Sequence, residues 1–165
     1  MMRLIIVAAA LALAACGQSS GGAMENIQRL DEAAAGHDVT EAAQTLPSGL
    51  QIQFTHRGGD QTLAMPSAQA GVLVHYEGSL VSSGQVFDSS FQRGEPAQFP
   101  LQAVVPGFSE AIQHMRPGDE LIATIPAALG YGARATGPIP ANSDLRFRIR
   151  LIAFQEPDGR VVGHP

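Results

Sequence analysis

The sequence has no tryptophan, a single cysteine and no lysine, its ten basic residues all being arginine. One cysteine excludes an internal disulfide framework and any cysteine metal cluster within the chain. Without lysine there is no phosphate-binding loop of the usual kind. The five histidines, at positions 37, 56, 75, 114 and 164, stand too far apart for a metal pair on one helix. Charge is scarce as well: 15% of residues are charged, against about 25% in an ordinary globular chain. The balance is acidic, −5, which argues against nucleic acid as a partner. What is present is a core's worth of material. Hydrophobic residues make up 45% of 165, enough for one domain and too little chain for two. Glycine (18) and proline (11) give many turns without a collagen-like period.

The chain opens Met1-Met2-Arg3 and continues as an uncharged apolar run from Leu4 to Ala15. As a helix that run would reach about 18 Å, short of the roughly 30 Å of bilayer hydrocarbon. A positive start, a short apolar stretch and small residues before a boundary mark an export signal. The boundary, Leu13-Ala14-Ala15-Cys16-Gly17, resembles the bacterial lipoprotein box, in which the cysteine thiolate accepts the lipid. The expectation is a lipoprotein signal peptide over 1–15 and lipidation at Cys16. Two or three acyl chains there give stable anchoring without a spanning helix. Gly17, rather than an aspartate, suits the outer membrane, facing the periplasm of a bacterial cell envelope. Residues 16–22 read as the lipidated cysteine and a flexible Gly/Ser tether. Residues 23–46, richer in Ala, Glu and Gln with Ile27, Leu30 and Ala34 at helical spacing, read as a helical linker segment.

Strand patterns begin after Pro47-Ser48-Gly49. Leu50, Ile52 and Phe54 alternate with polar residues, as do Val72, Val74 and Tyr76. Phe108, Ala111, Ile112 and Met115 follow the helical i, i+3, i+4, i+7 pattern, and Arg116-Pro117-Gly118 stops them. Leu121, Ala123 and Ile125 mark another strand. In the last one Leu145, Phe147, Ile149 and Leu151 point one way and Arg146, Arg148, Arg150 and Ile152 the other. The arginine row is read as a solvated sheet face rather than an anion stripe. The fold class is therefore α+β: mostly antiparallel strands around one short helix over 47–156, preceded by a short helical segment and followed by a loose tail over 157–165.

Six of the nine aromatic residues, Tyr76, Phe87, Phe99, Phe108, Tyr131 and Phe147, fall at turns and element ends. They could be core and no more. Phe87-Asp88 nevertheless sets a carboxylate beside a ring, and Gly130-Tyr131-Gly132 holds a phenol on a loop. An apolar pocket with one acid and one phenol suits a neutral, apolar ligand. The segments Val74-His75-Tyr76-Glu77-Gly78-Ser79-Leu80 and Gly84-Gln85-Val86-Phe87-Asp88-Ser89-Ser90 resemble the FKBP-type peptidyl-prolyl cis-trans isomerases. So do Val104-Val105-Pro106-Gly107-Phe108, Ile125-Pro126 through Tyr131-Gly132, and Ile139-Pro140-Ala141-Asn142-Ser143-Asp144-Leu145-Arg146-Phe147. Together with the leader, the chain resembles the exported, macrophage-infectivity-potentiator-like subgroup.

The resemblance implies a curled antiparallel sheet of five or six strands around the helix. It also implies a cofactor-free, metal-free isomerase whose partners are proline-containing polypeptides. Matched position by position, Asp88 and Tyr131 would be catalytic. Tyr76, Phe87, Phe99, Val104, Val105, Phe108, Ile139 and Phe147 would line the substrate site. Phe108 stands where many members carry tryptophan. Asp88 has two open roles, polarising the pocket or capping the turn formed with Ser89 and Ser90. A peptide-binding or holdase-type chaperone with incidental isomerase activity is the alternative function, and a purely structural lipoprotein is a third.

Overall fold

The computed structural model describes residues 36–163. The expected leader, tether, Cys16 and residues 23–35 of the helical linker lie outside them. In chain order the strands are β1 (His37–Asp38), β2 (Gln44–Thr45), β3 (Gln51–Arg57), β4 (Gly71–Leu80), β5 (Val86–Ser89), β6 (Ala97–Pro100), β7 (Glu120–Ile125), β8 (Leu145–Gln155) and β9 (Val161–Gly163). Helix α1 is Ser90–Arg93 and helix α2 is Pro106–Ile112. All strands join one antiparallel sheet in the order β1-β3-β7-β8-β4-β5, with β2 on β3, β6 on β4 and β9 on β8. Strands β3 to β8 are the curled antiparallel sheet that the resemblance implies, built from the alternating strands read in the sequence.

Period-2 patterning produces that sheet. Along β4 and β7 buried residues alternate strictly with half-buried ones, so each strand has one packed and one wetter face. β8 alternates only as far as Leu151. There its pairing with β4 slips: Val74 faces Leu151 while Leu73 faces Ala153, leaving Ile152 as a bulge residue. Ile152 is therefore buried, at 3% exposure, and does not share the outer face with the arginines as the alternation alone suggests.

Helix α2 lies against the packed face. Pro106 starts it, where a missing N–H costs nothing, and Phe108, Ala111 and Ile112 are buried. The helix approaches β7 so closely that a Cβ on Gly107 would lie 2.5 Å from Ile125 Cγ2. Past its end, the enclosed Asp119 carboxylate accepts from the backbone N–H of Gly58 (2.8 Å) and Arg116 (2.9 Å) and from Gln61 Nε2 (2.9 Å). A buried carboxylate needs such partners. These ones tie the β3–β4 loop to the turn that fixes α2.

Two expectations are corrected at the ends of the domain. Residues 36–46 are extended rather than helical. His37 and Asp38 pair with Arg57 and His56, and Gln44 and Thr45 with Ile52 and Gln51. The open edge of β3 offers backbone hydrogen bonds that a helix could not use. Arg57 reinforces the arrangement by a two-pronged contact to Glu41 at 2.8 and 3.0 Å. At the other end 157–163 is not loose: the chain turns at Glu156–Arg160 and returns as β9 along β8. Among the described residues no helix is long and apolar enough to cross a membrane.

Candidate active site

Five separate elements each deliver a ring to one place. β4 carries Tyr76, β5 Phe87, β6 Phe99, α2 Phe108 and β8 Phe147. The rings meet edge to face, the favoured geometry of aromatic quadrupoles. Phe108 lies 5.1 Å from Phe147 at 76°, and Tyr76 lies 5.6 Å from Phe99 and 6.1 Å from Phe108. Phe99 and Phe108 close the set at 6.1 Å and 88°. Tyr76, Phe99, Phe108, Phe147 and Ile139 are buried to 2% exposure or less. Phe87, Val104, Val105 and Tyr131 pack against them but remain half-buried. The result is an apolar floor continuous with the core, and a rim that meets solvent.

The polar groups of the site are organised by Tyr76. A buried phenol needs a partner, and its hydroxyl donates to Asp88 Oδ2. Arg93 Nη1 donates to the other oxygen, Asp88 Oδ1, and Arg93 Nη2 donates to the Tyr76 hydroxyl at 3.1 Å. Burial, helped by the bond to Asp88, pushes the Tyr76 phenol up to about 12. The Tyr131 phenol is also raised, first by burial and then by the Asp88 charge. Its hydroxyl makes no hydrogen bond among the described residues, so the donor is free to meet a ligand carbonyl.

The cap of α1 is Ser89, whose Oγ accepts from Gln92 N at 3.2 Å. Asp88 instead turns inward to Tyr76. Ser90 Oγ accepts from Tyr76 N at 2.8 Å and donates to Tyr76 O at 3.2 Å, which pins α1 to β4. His75 stacks on Phe91 at 5.0 Å, with Nδ1 3.2 Å from Ser90 Oγ, a structural setting. Arg93 was not singled out by the sequence, although an arginine five residues after an acid in a turn is a usable signal. In the outer arginine row Arg148 holds Glu120 at 2.9 and 3.0 Å and lies over Phe91. Among the described residues no group of three His, Cys, Asp or Glu could hold a metal.

Residues 64–152 match the family described as FKBP-type peptidyl-prolyl cis-trans isomerase. The FKBP-type peptidyl-prolyl cis-trans isomerase FkpA of Aeromonas hydrophila is 42% identical over 135 residues, 82% of this chain and 49% of that protein. The outer membrane protein MIP of Legionella longbeachae is 42% identical over 112 residues, 67% of this chain and 46% of that protein. The chain thus spans about half the length of these curated relatives. The crystal structure of FkpA from Escherichia coli superimposes with a TM-score of 0.63 at 29% identity, covering 87% of this chain and 60% of that one.

With two tyrosines and no tryptophan, tyrosinate absorbance reports this site alone. An ordinary tyrosine ionises near 10. Between that pH and about 12 the folded protein retains a Tyr76 proton that the unfolded chain has released, so stability falls as pH rises through the interval. Alkaline titration of the native protein is expected to show a late Tyr76 step, absent from Tyr76→Phe, whereas the denatured chain ionises both phenols at about 10. Both phenols ionising near 10 in a protein still folded would contradict the assigned environment.

Proposed function

The chain belongs to the FKBP-type peptidyl-prolyl cis-trans isomerase family, and from that premise we propose that it accelerates rotation about X-Pro bonds in polypeptides of the bacterial cell envelope. The rotation is slow because it breaks amide resonance, a barrier of about 18–20 kcal/mol. The planar amide is the more polar form, and water stabilises it. The twisted form, with its pyramidal nitrogen, loses less on entering a ring-lined site. Every tenfold in rate needs about 1.4 kcal/mol of such differential stabilisation, and neither a nucleophile nor a proton transfer is required.

In this mechanism Phe108 and Val105 seat the proline ring, with Phe99 and Phe147 as walls and Val104 and Ile139 closing the sides. Tyr131 donates to a substrate carbonyl at the rim. Asp88, fixed by Tyr76 and Arg93, aims its negative charge at the position of the rotating carbonyl carbon. The observation that carries the proposal is the convergence of rings from five elements on one dry floor, with a carboxylate and an unpaired phenol at its edge. It is tested by cis-to-trans relaxation of apolar-X-Pro peptides. Acceleration is expected, with kcat/KM reduced about tenfold in Tyr131→Phe and in Asp88→Asn, the latter keeping an acceptor for Tyr76. Relaxation equal with and without protein, across several residues before proline, would sink the proposal. Undiminished rates in both variants would remove the two residues from the mechanism.

We also propose that Cys16 carries the lipid anchor and that the domain works at the outer membrane, facing the periplasm. The uncharged run ending at the lipoprotein-like box supports this, as does the relative named an outer membrane protein. Labelled fatty acid is expected on the wild-type chain and not on Cys16→Ser, which should also keep its apolar leader uncleaved. A labelled Cys16→Ser protein, or an unlabelled wild type, would refute the anchor.

A further inference from the structure

The pairing of β4 with β5 slips by one residue beside the site. Glu77 faces Ser89 and Gly78 faces Asp88, but Ser79 faces Val86. Phe87 is the extra residue, with nothing opposite it. In a regular strand two consecutive side chains point to opposite faces. The bulge allows Phe87 and Asp88 both to reach the packed face. There Phe87 meets Phe147 edge-on at 5.7 Å and 81°, and Asp88 receives the Tyr76 hydroxyl.

The same face of β4 carries Tyr76, residue 78 and Leu80. Residue 78 is glycine. A Cβ there would lie 2.6 Å from Phe147 Cε1 and 2.6 Å from both Cε2 and Cζ of Phe87. Ordinary carbon contacts are about 3.5–4.0 Å. Gly78 does not have a positive φ, so a larger residue would suffer no backbone strain. What the glycine provides is room.

We propose that Gly78 is a specificity-determining positioning residue: the space left by its missing side chain is the seat of the Phe87 ring, and it sets how close the rim wall stands to the floor. The substrate consequence rests on the isomerase reading above; the seating of the ring does not. Phe147 is enclosed at 1% exposure and Phe87 is half-buried, so a methyl group at 78 displaces Phe87 outward. With the proline ring on the floor, the residue before proline extends to the rim where Phe87 stands. A displaced Phe87 loses contact with a large apolar side chain there and little with alanine.

The test uses Gly78→Ala in the full chain with two readouts. By proton NMR, the Phe87–Phe147 ring contact is expected to vanish while the Phe108–Phe147 contact persists. In the relaxation assay, kcat/KM for a Phe-Pro peptide falls about threefold or more relative to an Ala-Pro peptide, with the change in KM rather than kcat. In a Phe87→Leu background the clash with the Phe87 ring is gone and only that with Phe147 Cε1 remains, so adding Gly78→Ala leaves the discrimination unchanged. An unchanged Phe87–Phe147 contact in Gly78→Ala overturns the proposal. So does unchanged discrimination once the contact is lost, or an equal effect of Gly78→Ala in the Phe87→Leu background. If the wild-type protein fails to accelerate either peptide, the isomerase reading falls, and the ring contact alone still decides whether Gly78 seats Phe87.

Discussion

A phenol enclosed among other rings has to place its hydroxyl on an acceptor, because a buried donor left unmade costs about 1–3 kcal/mol. Tyr76 meets that requirement with Asp88, and the site is arranged around the pairing. Its ring touches Phe99, Phe108 and Phe147, so the floor cannot shift without moving the phenol. Its hydroxyl and Arg93 hold both oxygens of Asp88, so the carboxylate cannot leave without orphaning the phenol. Ser90 then fastens the Tyr76 backbone to the helix that carries Arg93. Packing and polarity are locked together through one residue, the preorganisation that the proposed non-covalent catalysis requires.

The surrounding fold holds that arrangement from several sides. β4 is paired along its whole length with β8, and on its other edge first with β6 and then with β5. Four of the five rings lie on these strands, and α2 supplies the fifth. The closeness of α2 to β7 at Gly107 and the Asp119 network at its far end leave Phe108 little freedom. Of these five rings Phe87 alone is half-buried, and it is the one placed by a bulge. Rigidity is concentrated in the floor and adjustability at the rim.

Much of this was legible in the sequence wherever a segment's own periodicity decides its structure. The alternation of β4, β7 and β8 and the helical spacing of Phe108, Ala111 and Ile112 follow from burial of one face, and the structure agrees, although the helix ends at Ile112 and leaves Met115 in the turn beyond it. Periodicity fails where the partner decides. Residues 37–38, 44–45 and 161–163 are strands because β3 and β8 offer them an edge. Ile152 turns inward because a bulge resets the alternation, and Phe87 does so for the same reason on β5. Arg93 lies in a four-residue helix with no pattern of its own. Its place beside Asp88 depends on how α1 is pinned to β4, which the periodicity of the segment does not record.

The proposed isomerase works by solvation rather than chemistry: its ring-lined floor would favour a twisted amide, with no proton changing hands. The most direct test compares kcat/KM for an X-Pro peptide in light and heavy water across neutral pH. A ratio of about 1 with a flat pH profile is predicted, since no acid or base enters the transition state. A ratio of about 2 or more, or a bell-shaped profile, would show proton transfer in the rate-limiting step and contradict the account.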